Sequence, residues 1–462
     1  MFDSKVYADR RNRLRSILND GVALFPGNRE SPMNYRANTY HFRQDSSFLY
    51  FFGLDQPNLA GIIDCDSGED IIYGDDLTLD DIIWMGDQPS LKDRALLAGV
   101  TQTFTYKELT RQLETFMREG KTIHFLPPYR AETILELEWL TGIHYRQVPE
   151  ESSEELIEAV VQLRSVKDEH EIRDIVSAID VAYEMHTAVM HLAKPGMYEH
   201  ELAGIIEGIA LSHGRPVAFP VILSINGQIL HNHYHGNRLS EGRMIVTDAG
   251  TESPNGYASD ITRTVPVSGS FNTMQKEIYE IVLKANTDSI KAVRPGITNK
   301  DLHLLASEII AGGLKDLGLM KGNVADAVLQ GAHALFFPHG LGHMLGLDVH
   351  DMEGLGERYV GYDEEVKRSE QFGTAYLRLG KKLQPGYVLT IEPGIYFIPA
   401  LMDLWGKEKK FREFIDYDRL ETYRDFGGIR IEDNVLVTDK GYRLLGKPIP
   451  KTVEEVETEM KK

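Results

Sequence analysis

Four carboxylates occupy places where buried strands ordinarily carry apolar side chains. Asp248 ends the run Met244-Ile245-Val246-Thr247, and Asp260 opens Ile261-Thr262-Arg263-Thr264-Val265. Glu392 follows Val388-Leu389-Thr390-Ile391, and Glu432 follows Gly428-Ile429-Arg430-Ile431. Burying an ionised carboxylate without a partner is very costly. A lone strand Asp or Glu is usually exposed or paired, but four of them on apolar strands require a compensating charge. Few Lys or Arg lie nearby, and a divalent cation supplies more charge from one centre.

The histidines extend this pattern. His339, His343 and His350 fall within Pro338-His339-Gly340-Leu341-Gly342-His343-Met344-Leu345-Gly346-Leu347-Asp348-Val349-His350-Asp351. The glycines argue against a regular helix here and permit close backbone approach. One imidazole with four carboxylates is a hard, oxygen-rich donor set, which suits Mn²⁺ and admits Co²⁺, Fe²⁺ or Zn²⁺. Four carboxylates exceed the need of one ion, so two bridged ions are expected. The chemistry that follows is hydrolysis by a hydroxide formed from a bridging water, with a metal and a histidine stabilising the oxyanion. A carboxylate and a histidine would carry the protons. Side chains two apart on a strand share a face. Arg430, on the face of Glu432, is therefore placed to hold a ligating carboxylate, and Thr262, on the face of Asp260, to stand behind the ligands.

The elements that must position these groups can be read around them. A chain of 462 residues, 42% apolar, is too long for one compact core. Short apolar runs such as Gly61-Ile62-Ile63-Asp64 and Asp70-Ile71-Ile72-Tyr73 predict an α/β region in the first third. Residues 154–192 show helical recurrence through Leu156, Val160, Val161, Leu163, Ile172, Ile175, Ile179, Ala182 and Met185, and Pro195-Gly196 ends it. The expected organisation is α/β (α+β), with domains at 1–163 and 164–462. Long connections at about 351–384 and 397–427 are candidates for functional loops.

Composition excludes some partners. The formal charge of −20 disfavours phosphate backbones and anionic lipid, so neither nucleic acid nor membrane is expected as a partner. No apolar run approaches a membrane span. The N-terminal Met-Phe-Asp-Ser-Lys lacks the apolar core of a signal peptide, and a single cysteine, Cys65, fits a reducing cytoplasm. His170-Glu171-Ile172-Arg173-Asp174 lacks the second histidine of a zinc-protease helix, and His186 and His191 read as structural.

Taken together, His-Gly-Leu-Gly-His at 339–343, Leu-Asp-Val-His-Asp at 347–351, Ile-Glu-Pro-Gly-Ile-Tyr at 391–396 and Ile-Arg-Ile-Glu-Asp at 429–433 resemble one family. It is the proline-specific branch of the pita-bread metallopeptidases, aminopeptidase P and prolidase. Phe42-Arg43-Gln44-Asp45-Ser46-Ser47-Phe48 looks like that family's N-terminal domain. The resemblance implies a C-terminal pita-bread (creatinase/aminopeptidase-like) domain behind a smaller α/β domain, two metals, usually Mn²⁺, and a homo-oligomer. It implies Asp248, Asp260, His343, Glu392 and Glu432 as ligands, with Asp260 and Glu432 bridging and Glu392 as general base. It also implies that His339 and His350 contact substrate or pass protons, and that His231 is a further catalytic histidine. Tyr376-Leu377-Arg378 looks like the prolidase segment whose arginine binds a free carboxylate, which makes Arg378, with Arg430, a candidate for substrate binding. The implied activity is hydrolysis of the Xaa-Pro bond at the N-terminus of peptides or dipeptides.

Two departures stand out. Asp260 follows Asp248 by twelve residues, one more than usual, which predicts a bulge or a longer hairpin turning at Pro254-Asn255-Gly256. His231-Asn232-His233-Tyr234-His235 leaves His233 as an alternative to His231. The competing functions are a non-catalytic binding module and a metal-free amidinohydrolase of the creatinase kind. Failure to bind metal would favour the first, and activity in excess chelator the second.

Overall fold

A computed structural model describes all 462 residues. The chain forms two compact units, one of Met1–Ser165 with Met352–Tyr359, the other of Val166–Asp351 with Val360–Lys462. Nothing in the sequence signalled the return of 352–359 to the first unit.

In the first unit five strands form a mixed sheet in the order Gln102–Phe104, Asp70–Tyr73, Ala60–Asp64, Val22–Pro26, Ile123–His124. The helix Tyr106–Arg118 lays Leu109, Leu113 and Phe116 on this sheet. That spacing keeps one face of a helix apolar. The motif Phe42–Phe48 has a local purpose, because Asp45 caps the helix Ser46–Phe52 by accepting from the Phe48 amide (2.9 Å).

The 154–192 stretch is two helices, Glu154–Ser165 and Glu169–Leu192. Asp168 divides them by capping the second, with Glu171 completing the capping box. All nine apolar residues that marked the stretch are buried.

The second unit repeats its own plan at an offset of one hundred residues. The helices Glu169–Leu192 and Glu199–Ser212 precede one group of strands, and the helices Thr273–Ala292 and Asn299–Asp316 precede another. The turn Lys194-Pro195-Gly196 returns as Arg294-Pro295-Gly296. Tyr198 bridges Arg238, and Thr298 bridges Lys382, in the same antiparallel sense.

Two antiparallel ribbons carry the polar residues. In the first, Met244–Ala249 pairs with Ile261–Pro266, and Asp248 lies opposite Thr262. The bridge Glu252 to Ala258 continues the same register. The extra residue therefore lengthens the hairpin without a bulge, and the turn closes from Gly256 to Ser253 (2.9 Å) with Gly256 at φ 86°. In the second ribbon Val388–Ile391 pairs with Asp433–Val437, and Gly394–Tyr396 with Gly428–Arg430. Both ladders keep one register, so Glu392 and Glu432 face each other across the gap between them. Pro393, which lacks an amide hydrogen, sits in that gap.

The long connections hold structure of their own. Residues 397–427 contain the helices Pro399–Glu408 and Tyr417–Leu420, and 351–384 contains the short turns Glu353–Leu355 and Thr374–Tyr376. Phe372 meets Trp405 edge-on at 5.9 Å, joining the two.

Candidate metal centre

The two ribbons meet along the Ile261 strand. The Glu432 amide donates to the Thr262 carbonyl (3.1 Å), and the Asn434 side chain brackets the backbone of Asp260 through both its amide groups. Cross-strand partners and residues two apart share a face. Asp248, Asp260 and Thr262 therefore point toward Glu432 and Glu392.

His343 comes from the glycine-rich loop. A Cβ on Gly342 would lie 1.9 Å from the Thr390 carbonyl oxygen, so only glycine lets this loop lie against the Val388 strand. His343 Nδ1 donates to the Met344 carbonyl (3.0 Å), which leaves Nε2 as the acceptor nitrogen. Nε2 lies 3.3 Å from Asp260 Oδ2 and 3.7 Å from Glu392 Oε1. Ligand atoms of Asp260, His343 and Glu432 all fall within 4.8 Å of one another, and all three residues are buried.

The electrostatics show what this cluster lacks. Burial, then the charge of Asp248, raises the Asp260 carboxyl well above its ordinary range. Burial, then Asp260, Glu392 and Asp248, does the same to Glu432. Glu392 is pushed up to about 7, mainly by burial. Arg430 is the one cation set among them, and its guanidinium is fully engaged. It donates to Asp248 Oδ2 (2.7 Å), Thr262 Oγ1 (3.0 Å) and the Tyr396 hydroxyl (3.0 Å). This geometry supports the carboxylate-holding role of Arg430 over a substrate contact. Thr262 in turn donates to Glu432 Oε2 (2.7 Å).

After these bonds, Asp248 Oδ1 and Glu432 Oε1 are buried without a hydrogen-bond partner. An orphaned buried carboxylate oxygen is expensive. Two such oxygens, an imidazole nitrogen and two further crowded carboxylates form a donor set that fits divalent cations.

The remaining residues named from sequence surround this cluster. His339 Nδ1 donates to the Gly340 carbonyl (2.8 Å), and Nε2 accepts from the Tyr396 hydroxyl (2.9 Å). Burial, then Arg430, lowers its pKa to about 3, so the ring is neutral, and Nδ1 lies 3.8 Å from Glu392 Oε2. The His350 ring packs edge-on against His343 at 4.1 Å. His231 keeps exposed surface, yet desolvation by its surroundings lowers its pKa, and Arg430, Asp248, Arg378 and His350 all act on it. The influence of these four residues places His231 in the neighbourhood of the cluster. Arg378 is half-buried and follows the turn Thr374–Tyr376, whose end packs on Gly340.

Tyr396 joins Arg430 to His339, a link that sequence reasoning left unassigned. Its even spacing from Glu392, on the same strand face, was the available signal. His186 Nε2 donates to the Ala249 carbonyl (3.1 Å), and His191 pairs with Glu459 (2.8 Å), neither reaching the cluster.

Residues 173–439 match the model of metallopeptidase family M24, and residues 7–124 match the aminopeptidase P N-terminal domain. The chain belongs to metallopeptidase family M24. It is 32% identical to human Xaa-Pro dipeptidase over 463 residues, covering 97% of this chain and 90% of that protein. It is 34% identical to a Fusarium vanettenii protein named as a probable Xaa-Pro aminopeptidase, covering 90% of this chain and 87% of that one. Among solved structures it is similar to zinc-substituted E. coli aminopeptidase P in complex with product, with a TM-score of 0.82 and 28% identity over 99% of this chain and 98% of that one. The same E. coli enzyme with the inhibitor Pro-Leu gives a TM-score of 0.81. The fold of this M24 member is that of aminopeptidase P, with the aminopeptidase P N-terminal domain ahead of the metallopeptidase domain. No helix is long and apolar enough to cross a membrane.

The buried Arg430 permits a direct test in this M24 protein. Removing one partner of a buried, hydrogen-bonded ion pair costs about 3–5 kcal/mol. Arg430→Met is expected to destabilise the metal-free protein by that amount in urea unfolding. A loss below about 1 kcal/mol, the scale of a surface pair, would remove Arg430 from its holding role.

Proposed function

We propose that this protein is an exopeptidase that hydrolyses the Xaa-Pro bond at the N-terminus of peptides or dipeptides. The observation that carries the reading is the buried cluster of Asp260, His343 and Glu432, with Glu392 3.7 Å from His343, Asp248 held by Arg430, and two carboxylate oxygens left unpaired. The named activities of the human and fungal relatives support the substrate class.

Asp248, Asp260, His343, Glu392 and Glu432 would hold two divalent cations, with Mn²⁺ favoured by the oxygen-rich donor set. When bound, such ions lower the pKa of a shared water and polarise the scissile carbonyl. Glu392 would take the proton of the attacking water, its two oxygens facing His343 and His339. Neutral His339, held by Tyr396 and Gly340, presents an N–H edge next to Glu392 and so lies on the route to the leaving proline nitrogen. His350 and His231 line the substrate side.

Arg378 is assigned to the free carboxylate of a C-terminal proline. Arg378→Ala should therefore raise KM for Ala-Pro more than for Ala-Pro-Ala, whose extra residue moves the carboxylate away. Equal effects on both would remove Arg378 from this role. The same pair of substrates with Mn²⁺ decides between dipeptidase and aminopeptidase preference, and inertness toward both would end the peptidase reading.

A homo-oligomer is part of this proposal. The helix Leu79–Met85 buries none of its residues and exposes Leu79, Ile83, Trp84 and Met85, an apolar surface of the kind subunits cover. Sedimentation as a monomer would remove that part. A cytoplasmic location is proposed on the single cysteine, Cys65.

A further inference from the structure

His231 lies on a loop with little regular structure, running from the strand Ile222–Ser224 to residue 239. For His231 to act on a substrate, this loop has to be held in place. The loop is anchored at both ends by one side chain, Glu199, the first residue of the helix Glu199–Ser212.

Glu199 is fully buried, and the groups that donate to it are all uncharged. Its charge is met by hydrogen-bond donors from the two ends of the loop. Oε1 accepts from the Ser224 hydroxyl (2.9 Å) and the Ile225 amide (2.8 Å). Oε2 accepts from the Asn237 amide (3.3 Å) and the Asn237 side chain (2.8 Å). Ser224 Oγ then accepts from the side chain of Asn232, the residue after His231 (3.0 Å), and from the Asn226 amide (3.0 Å). Its place at a helix N-terminus further favours the negative charge.

The internal repeat shows that this position is built for the purpose. The Glu199 amide donates to the Asn237 carbonyl (3.0 Å) and the His200 amide to the His235 carbonyl (2.9 Å). One hundred residues on, the Asn299 amide donates to the Lys381 carbonyl (3.1 Å) and the Lys300 amide to the Gly380 carbonyl (3.2 Å). Asn299 is also fully buried, and its side chain donates to the Leu379 carbonyl (2.9 Å). Each copy thus sets a buried polar residue under the segment that presents a candidate substrate-side group, His231 in the first and Arg378 in the second. Only the first copy uses a carboxylate, and only there does one side chain bind both ends of the loop.

We propose that Glu199 is a positioning residue for the hydrolysis, acting through His231. The inference rests on the peptidase reading above. A carboxylate is required because all four groups facing it are donors. In Glu199→Gln the amide nitrogen must oppose either the Ile225 and Ser224 donors or the Asn237 donors. One anchor opens whichever way the amide turns.

The test compares wild type, Glu199→Gln, His231→Ala and the double variant, all loaded with Mn²⁺. Glu199→Gln is expected to lower kcat/KM by about 10–100-fold, the usual effect of removing a group that orients an active side chain. The double variant should be no slower than His231→Ala alone, because the two losses share one cause. Metal content should match wild type, since no ligand lies on this loop. Amide exchange should quicken over residues 225–237 and stay unchanged over 388–396. Asn237→Ala, which removes a single donor, should show the same pattern with a smaller effect and carries the test if Glu199→Gln fails to fold.

Losses that multiply in the double variant, a fully active His231→Ala, or unchanged exchange over 225–237 would each overturn the proposal. A wild-type protein inert toward Ala-Pro and Ala-Pro-Ala would instead overturn the peptidase reading. The exchange measurement would still decide whether Glu199 holds the loop.

Discussion

Glu392→Gln will lower kcat on an Xaa-Pro substrate by about 10²–10⁴-fold, the range that positioned proton transfer supplies. Glutamine preserves the shape of the side chain and both of its heavy-atom positions. What it removes is the ability to accept a proton. In the metal-free protein burial and the charges of Asp260 and Asp248 outweigh the opposing pull of His343 and Arg430 and raise the carboxyl to about 7. Its two oxygens also divide the labour. Oε1 faces His343 Nε2 and Thr390 Oγ1 (3.7 and 3.5 Å), while Oε2 faces His339 Nδ1 (3.8 Å). The facing His339 Nδ1 already carries a proton, so a proton taken by Glu392 stays on the carboxyl until the leaving group collects it. Metal content should be measured on the same samples. A kcat above a tenth of wild type would remove Glu392 from proton transfer, and a loss matched by loss of metal would reduce it to a ligand.

Metal removal should abolish hydrolysis, and the stability that Mn²⁺ restores should grow as pH rises from about 5 to 8. Asp260 and Glu432, raised well above the ordinary range, and Glu392, raised to about 7, hold protons in the metal-free folded protein that the unfolded chain releases near pH 4. Folding of the metal-free protein is therefore weakened by these groups as pH rises through their folded values. Cations must displace those same protons, so binding tightens over the same window. The buried histidines His186, His303 and His333 have lowered pKa values and act in the opposite direction. They contribute equally with and without metal and cancel in the difference. At a free metal concentration about one hundred times Kd the gain is roughly 2.7 kcal/mol. Urea unfolding at several pH values, with Mn²⁺ and with chelator, measures it. A gain that is constant with pH, or that shrinks, would contradict the shared-proton picture of the cluster.

The convergence of the cluster was legible because its members break local rules. A carboxylate at the end of an apolar strand is a conflict that only tertiary structure resolves, and Asp248, Asp260, Glu392 and Glu432 each present one. The hairpin turn at Gly256 was legible for the same reason, since Pro-Asn-Gly has few other uses. What stayed hidden had no local signature. Glu199 opens a helix, where acidic residues are common on exposed surfaces, and only the structure shows it fully buried beneath the loop. Tyr396 continues an ordinary strand alternation. The hundred-residue repeat is nearly silent because two copies need only the same backbone pairing, and Pro-Gly followed by a helix start is too common to mark it.

The shared register of the Val388–Tyr396 and Gly428–Val437 ribbon limits how this chain can change its length. A single insertion between Glu392 and Tyr396 would turn every later side chain of that strand to the opposite surface. Arg430 and His339 would then lose Tyr396 while the helical connection at 397–427 remained intact. Length variation among natural or engineered variants should consequently gather in that connection and in the Ser253–Gly256 turn. Strand segments should keep their residue count even where their side chains differ.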